Sequence, residues 1–186
     1  MATPLSLTSS QFSDALTSES LQVTRLVHAA IMMGPVVFFM VVLAFSFQQS
    51  GGPPPRASDF EVMNILSVVN ALLFVMALFL AQFLSGFLFS PDRLGQDTGS
   101  ITAEMLASQC VSMQRTADIG RIAALEGAAL FGLAVCFIGA TNNVLQADPS
   151  YWLNALSTGL FVGYGITTFP TKQNLIDWFE TRFVRT

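Results

Sequence analysis

Four long apolar stretches, separated by short polar segments, dominate the pattern of the chain. They cover about residues 23–47, 60–84, 117–141 and 149–169, and each is close to the roughly 20 apolar residues that a helix needs to cross a bilayer. A chain inside a bilayer must satisfy its backbone hydrogen bonds internally, and a helix does so within one segment. The pattern therefore predicts an all-α fold, a four-transmembrane-helix bundle.

The breaks between the stretches contain residues that end and begin helices. The segment 48–59, QQSGGPPPRASD, interrupts the first helix with glycine and proline. Ser58 and Glu61 have the Ser-x-x-Glu spacing of a capping box and are expected to open the second helix. Asp148 followed by Pro149 supplies an N-cap and a first-turn proline for the fourth helix.

The composition supports a membrane location for most of the chain. Of its 186 residues, 52% are hydrophobic and 11% are charged, and the mean hydropathy is +0.58, whereas soluble domains carry roughly 25% charged residues. The polar N-terminal segment, residues 1–22, contains no Lys or Arg and so lacks the positive region of a signal peptide. No basic tract suggests nucleic acid. Cys110 and Cys136 have no metal-ligand spacing around them and are interpreted as inert apolar residues.

Basic residues are distributed unevenly between the two sides of the predicted bundle. Only Arg56 lies on one side, and the opposite side carries Arg25, Arg93, Arg115, Arg121, Lys172, Arg182 and Arg185. By the positive-inside rule, both termini and the 85–116 connection are expected in the cytoplasm. The expected location is the bacterial inner membrane.

Two segments outside the crossings are predicted to be ordered. Residues 100–120 contain no proline, so the third helix is expected to extend through them into the cytoplasm. The C-terminal segment, residues 170–186, has the pattern of an amphipathic helix. Its apolar face consists of Leu175, Ile176, Phe179 and Phe183. This helix lies either at the membrane interface or against the 100–120 segment or a partner.

The third crossing carries a small residue at every fourth position. The row consists of Gly120, Ala124, Ala128, Gly132, Cys136 and Ala140. In lipid, small residues let helix backbones approach closely, which makes such rows packing surfaces. Rows spaced by four favour steep helix crossings. The row predicts that this helix packs closely on other helices, of its own chain or of a neighbouring one.

Glu126 is a carboxylate in the apolar part of the third crossing, and it lies off the small-residue row. Counted at about 1.5 Å per residue from Arg121 and Arg25, Glu126 and His28 come to a similar depth. The predicted polar cluster at this depth consists of Glu126, His28, Arg25, Gln82, Thr167 and Thr168. Because an unpaired charge is costly in lipid, we expect Glu126 to be neutral or bonded to His28 or Arg25. The cluster is a structural clamp, a protonatable relay or ion site, or a contact with a lipid headgroup or partner.

Asn70 is a second polar residue within an apolar stretch, and we expect it to form an interhelical hydrogen bond.

Two family resemblances depend on these segments. LEGAALFGLAV (125–135), HAAIMMGPVVF (28–38) and FPTK (169–172) together resemble uncharacterised small four-helix bacterial membrane proteins, a group that implies the fold but no activity. A Glu followed by small residues also resembles the proteolipid rotor subunits of rotary ATPases, which would make Glu126 the ion-carrying carboxylate. The chain departs from the rotor pattern because its first helix lacks a dense glycine row.

The chemistry-bearing residues are too few for an enzyme site. The chain has one His and no cluster of metal ligands, so neither catalysis nor a cofactor is expected. We expect an accessory or scaffolding subunit of a larger membrane complex, with many Phe side chains available for lateral contacts. The alternative is an ion-translocating, proton-coupled subunit or a homo-oligomeric transporter that uses Glu126. Expected partners are the lipid bilayer and other membrane subunits or further copies of the chain, not nucleic acid.

Overall fold

The computed structural model describes residues 8–49, 51–88 and 103–181, and this part of the chain contains helices and no strand. The helices are α1 (Ser9–Ala15), α2 (Ser18–Gln48), α3 (Ala57–Leu88), α4 (Ala103–Thr141), α5 (Val144–Ala147), a 3-10 helix (Pro149–Ala155), α6 (Leu156–Thr167) and α7 (Lys172–Phe179). The all-α prediction is confirmed. Arg93, Arg182, Phe183 and Arg185 lie outside the described residues.

Three of these helices are long and apolar enough to cross a bilayer. The qualifying spans are Leu21–Gln48 in α2, Ala57–Phe83 in α3 and Ser108–Thr141 in α4. They match the first three predicted crossings and define a membrane-embedded protein. As expected, α4 begins well before the predicted crossing 117–141; residues 100–102 of the expected extension lie outside the described residues. Its 39 residues correspond to a length of about 58 Å, nearly twice the roughly 30 Å of a bilayer's hydrocarbon core.

The fourth predicted crossing, 149–169, is built differently. It consists of the 3-10 helix followed by the 12 residues of α6. The predicted N-cap is confirmed, because the Asp148 carboxylate accepts a hydrogen bond from the Ser150 N–H at 2.9 Å. The side-chain and backbone hydrogen bonds of Ser150 also lower the pKa of Asp148. The predicted capping box is wrong: α3 begins at Ala57, and Asp59 instead accepts a hydrogen bond from the Arg56 N–H at 2.8 Å.

Helix α4 is the centre of the bundle. In its most apolar part 50% of the residues are buried, against 17% in the corresponding parts of α2 and α3. It contacts α1, α2, α3, α5, α6 and the 3-10 helix. The other long helices therefore pack on α4, and most of their surface faces outward.

Helix α3 runs antiparallel to α4 in a constant register. A Cβ atom added to Gly139 would lie 2.8 Å from the end of the Met63 side chain, and one added to Gly132 would lie 3.1 Å from Asn70 Nδ2. These two contacts are seven residues apart on both helices. The buried positions Met63, Asn70, Ala77 and Ala81 of α3, together with the half-buried Ser67 and Phe74 between them, also have heptad spacing. Heptad spacing on α3 is typical of shallow crossings, whereas the four-residue row of α4 favours steep ones, so the steep crossing stays a prediction.

Helix α2 runs parallel to α4, also in a constant register. Oε1 of Glu126 lies 3.1 Å from the position that a Cβ atom on Gly34 would take. The rings of Phe45 and Phe137 meet edge to face at 5.1 Å. Eleven residues separate the two contacts on each helix, so the residue pairing between α2 and α4 keeps the same offset along both helices. This register fixes the relative depth of the polar residues on the two helices.

A separate apolar cluster joins α1, α7 and the first part of α4. Its buried members are Phe12, Leu16, Leu21, Cys110, Leu175 and Phe179. The rings of Phe12 and Phe179 are stacked with centroids 4.4 Å apart. The C-terminal helix therefore packs against α1 and the first part of α4, and its position at the membrane interface stays a prediction. The cluster also brings α7 back to the end of the bundle at which α2 starts.

Candidate functional site

The structure separates the predicted polar cluster into three groups. Because Glu126 lies opposite Gly34, the α2–α4 register aligns His28 with Gly120. Glu126 is therefore six residues, or about 9 Å, farther into the apolar span than His28. The expectation of a common depth is wrong because Arg25 and Arg121, from which the depths were counted, are offset by about one helical turn.

The first group links α2 to the C-terminal end of α6. The buried His28 side chain donates from Nε2 to the Gly165 carbonyl oxygen at 2.9 Å. Three residues earlier on α2, Arg25 donates from Nε to the Pro170 carbonyl oxygen at 3.0 Å. The last carbonyls of a helix lack intrahelical partners, and basic side chains stabilise that end. His28 and Arg25 therefore act as a clamp on the end of α6.

Two predicted cluster members complete the same helix end. The hydroxyls of Thr167 and Thr168 donate to the Tyr164 carbonyl oxygen at 2.8 and 2.9 Å. The ring of Phe169 packs edge to face against His28, with centroids 5.3 Å apart. Four of the six predicted residues thus meet at one place, and their arrangement satisfies backbone groups.

The second group is Glu126 on its own. Within the described residues, no hydrogen bond or ion pair joins its half-buried carboxylate to His28 or Arg25, which bind carbonyl oxygens instead. The pairing expected for Glu126 is therefore wrong, and its neutrality stays a prediction. The carboxylate packs beside Gly34, where the missing side chain leaves room for it.

Beside Glu126, α4 has an open face between α2 and α3. Successive residues of a helix are about 100° apart around its axis. The residues of α4 that lie about a quarter turn from the side facing α2 and from the side facing α3 form this open face. We call it the small-residue trough; it comprises Gly120, Ala123, Gly127 and Ala134. Ala123 and Gly127 are exposed, and a Cβ atom on Gly127 would meet nothing within 4 Å. The trough is thus an apolar surface that no helix covers within residues 8–49, 51–88 and 103–181.

The third group contains Gln82 and Arg121, which line one cavity between α3, α4 and α6. The Arg121 guanidinium lies 5.7 Å from the centre of the Tyr164 ring and 4.0 Å from the Asp118 carboxylate. Its Nε is buried and has no hydrogen-bond partner. Gln82 therefore lines the same cavity as Arg121.

Asn70 forms the predicted interhelical hydrogen bond. Its Nδ2 donates to Asn154 Oδ1 at 3.2 Å and lies 3.3 Å from the Asn154 carbonyl oxygen. Asn154 in turn donates to Ser67 Oγ at 2.9 Å, and Ser157 Oγ donates to the Asn154 carbonyl oxygen at 3.0 Å. We call these four residues the amide network; it joins α3 to the 3-10 helix and α6. Asn154 was missed by the sequence reasoning, although an Asn within an apolar stretch was a usable signal.

The small-residue row explains how the amide network fits beside α4. A Cβ atom on Gly132 would collide with the Asn154 carbonyl oxygen and would lie 2.5 Å from Ser157 Oγ. The buried members of the row are Ala128, Gly132, Cys136 and Ala140. Gly120 and Ala124 are half-buried. Close approach is therefore concentrated in the second half of the row.

Comparison with known proteins finds no match: no family model, curated protein or solved structure matches this chain. The resemblances described above stay predictions. Among the described residues, no three His, Cys, Asp or Glu side chains are grouped so that they could hold a metal ion. The geometry of the bundle is therefore the basis for a functional proposal.

Proposed function

We propose that this protein is an accessory or scaffolding subunit of a larger membrane complex and that a partner helix packs in the small-residue trough. The observation that carries the proposal is the exposed small-residue trough, which none of the described helices covers, with Glu126 at its edge. Small residues support close helix packing in lipid, where apolar surface alone gives little drive for association. A carboxylate in the apolar span is costly without a partner. A partner helix that carries a hydrogen-bond donor or a cation would pack in the trough and would also pair with the Glu126 carboxylate.

The proposal includes four membrane crossings, with both termini on the cytoplasmic side of a bacterial inner membrane. The contact of α7 with α1 supports an even number of crossings. The 3-10 helix and α6 together have 19 residues, which gives about 32 Å at their respective rises, enough for the fourth crossing. The distribution of Lys and Arg supports the orientation.

Filling the trough tests the accessory role. Gly127→Leu places a large side chain where nothing lies within 4 Å, so the fold is expected to survive. Gly163→Leu is a matched control, because Gly163 is also an exposed helical glycine without neighbours within 4 Å. Tagged protein is extracted from its own membranes in mild detergent and measured by native mass spectrometry. The expected result is that partner subunits at fixed stoichiometry are lost with Gly127→Leu and kept with Gly163→Leu.

Equal retention of partners in both variants would contradict docking in the trough. A homo-oligomer without other subunits in the wild type would contradict the accessory role itself.

A second function, ion translocation through Glu126, has one observation in its favour. The carboxylate lies about 9 Å farther into the apolar span than His28, and within the described residues no basic side chain forms an ion pair with it. Glu126→Gln in reconstituted vesicles distinguishes the two functions. Loss of an ion flux with complex assembly intact would favour translocation, whereas loss of assembly alone would favour the accessory role.

A further inference from the structure

A second apolar surface lies on the side of the bundle opposite the small-residue trough. Two cavities of about 350 and 300 Å³ adjoin one another between α3 and α6. Phe74 and Leu160 line both cavities, so together they form one groove. We call it the α3–α6 groove. It runs from Gln82 at one end to Ser67 at the other, which are fifteen residues of α3 or about 22 Å apart.

One end of the α3–α6 groove is positively charged. Arg121 lines the cavity at that end, and the other lining residues there are apolar, aromatic or, in Gln82, an uncharged amide. The ion pair of Arg121 with Asp118, at 4.0 Å, is long, and the buried Nε has no partner. The guanidinium also hydrogen-bonds to Tyr164, and because it has five N–H donors it retains capacity for an anion. Within the described chain the one carboxylate paired with it is that of Asp118.

The position of Arg121 along α4 places this charge at the level of the headgroups. Arg121 precedes Thr141, the last residue of the apolar span, by twenty residues, or about 30 Å. That distance equals the thickness of the hydrocarbon core. An apolar groove that starts at a guanidinium on this boundary and runs toward the membrane centre matches the shape and polarity of one phospholipid.

We propose that the α3–α6 groove binds an anionic phospholipid from the leaflet on the α1–α7 side. The phosphate contacts Arg121, and one acyl chain lies along Leu78, Phe161 and Leu160 toward Phe74. The proposal depends on the membrane location of the helices and not on the accessory role, so either can fail without the other.

Lipid binding to the purified full chain tests the proposal. The protein is delipidated in neutral detergent, and phosphatidylglycerol or phosphatidylcholine is titrated and followed by native mass spectrometry. Phosphatidylglycerol is expected to bind more tightly, and Arg121→Gln is expected to weaken it at least about tenfold, as for loss of a hydrogen bond to a charged group. Arg115→Gln is the matched control, because Arg115 is on the same helix and does not line the groove.

Two further variants make the test independent of any folding defect in Arg121→Gln. Leu160→Trp is expected to remove lipid binding by filling the groove, and it should fold because Leu160 is half exposed. Asp118→Asn is expected to strengthen phosphatidylglycerol binding, since it removes the competing carboxylate. Equal binding of the two lipids would overturn the proposal. Unchanged binding of phosphatidylglycerol by both Arg121→Gln and Leu160→Trp would also overturn it.

Discussion

Replacing Gly132 with Ala tests whether close backbone approach holds the amide network in place. The added methyl group would collide with the Asn154 carbonyl oxygen and lie 2.5 Å from Ser157 Oγ and 3.1 Å from Asn70 Nδ2. The first of these atoms belongs to the backbone, so it cannot move without shifting the 3-10 helix. Gly132→Ala is therefore expected to separate α4 from the network.

The expected change in the free energy of unfolding of Gly132→Ala is the sum of three contributions. Overpacking of a filled site costs about 1–3 kcal/mol, and each interhelical hydrogen bond lost in a membrane protein costs about 0.6 kcal/mol on average. Alanine in place of a helix glycine returns about 1 kcal/mol. The free energy of unfolding should therefore fall by about 1–3 kcal/mol in the Gly132→Ala variant.

Gly127→Ala is the matched control on the same helix. A methyl group at Gly127 meets nothing within 4 Å, so only the gain in helix propensity remains, about 0.5–1 kcal/mol. Thermal unfolding in one detergent compares the variants, and each kcal/mol corresponds to about 2–4 °C in a chain of this size. A Gly132→Ala protein that melts at or above the temperature of Gly127→Ala would refute the reasoning.

Three further predictions concern the clamp, the apolar cluster and the orientation. His28→Leu removes the donor to the end of α6 and should lower the free energy of unfolding by about 1–2 kcal/mol. His28→Gln can still donate and should recover part of this loss. Equal melting temperatures of the two variants would contradict the clamp. Phe12→Ala should lower the free energy of unfolding by about 3–5 kcal/mol and speed hydrogen exchange in α1 and α7. Phe79 is exposed, so Phe79→Ala is the control and should change neither. The same exchange rates in both variants would contradict the packing of the apolar cluster. In a background without native cysteines, Gly51→Cys should react with a membrane-impermeant maleimide on intact cells and Asn174→Cys only after lysis; the reverse pattern would contradict the proposed orientation.

Much of the fold could be predicted from the sequence, because lipid limits the available structures. An apolar stretch of membrane length must be helical, so α2, α3 and α4 were predictable in place and approximate length. Asp148 beside Pro149 marked the start of the 3-10 helix, and Asn70 could be assigned an interhelical bond because a buried amide in lipid requires one. These features depend on residues near one another in the chain or on the solvent alone.

The candidate site could not be predicted in the same way, because its geometry depends on the register between helices. Counting residues gives depth along one helix, but the offset between two helices is set by which side chains fit together. Gly34 accepts the Glu126 side chain and Gly132 accepts the Asn154 backbone, and neither pairing follows from spacing within a single helix. The one-turn offset between Arg25 and Arg121 follows from the first of these pairings, and it separates Glu126 from His28.

The sequence by itself determined that this protein is helical, where its three membrane-length helices lie, and which few polar residues lie within them, whereas the fourth crossing stays a prediction. Only the tertiary structure decided that His28 and Arg25 bind carbonyls at and just after the end of α6, that Glu126 borders the small-residue trough, and that Arg121 lies at one end of an apolar groove. The physical reason is that surrounding lipid makes an apolar stretch of membrane length helical, whatever its neighbours are. The register between helices, in contrast, depends on which side chains pack together, and it brings residues together that are distant in the sequence.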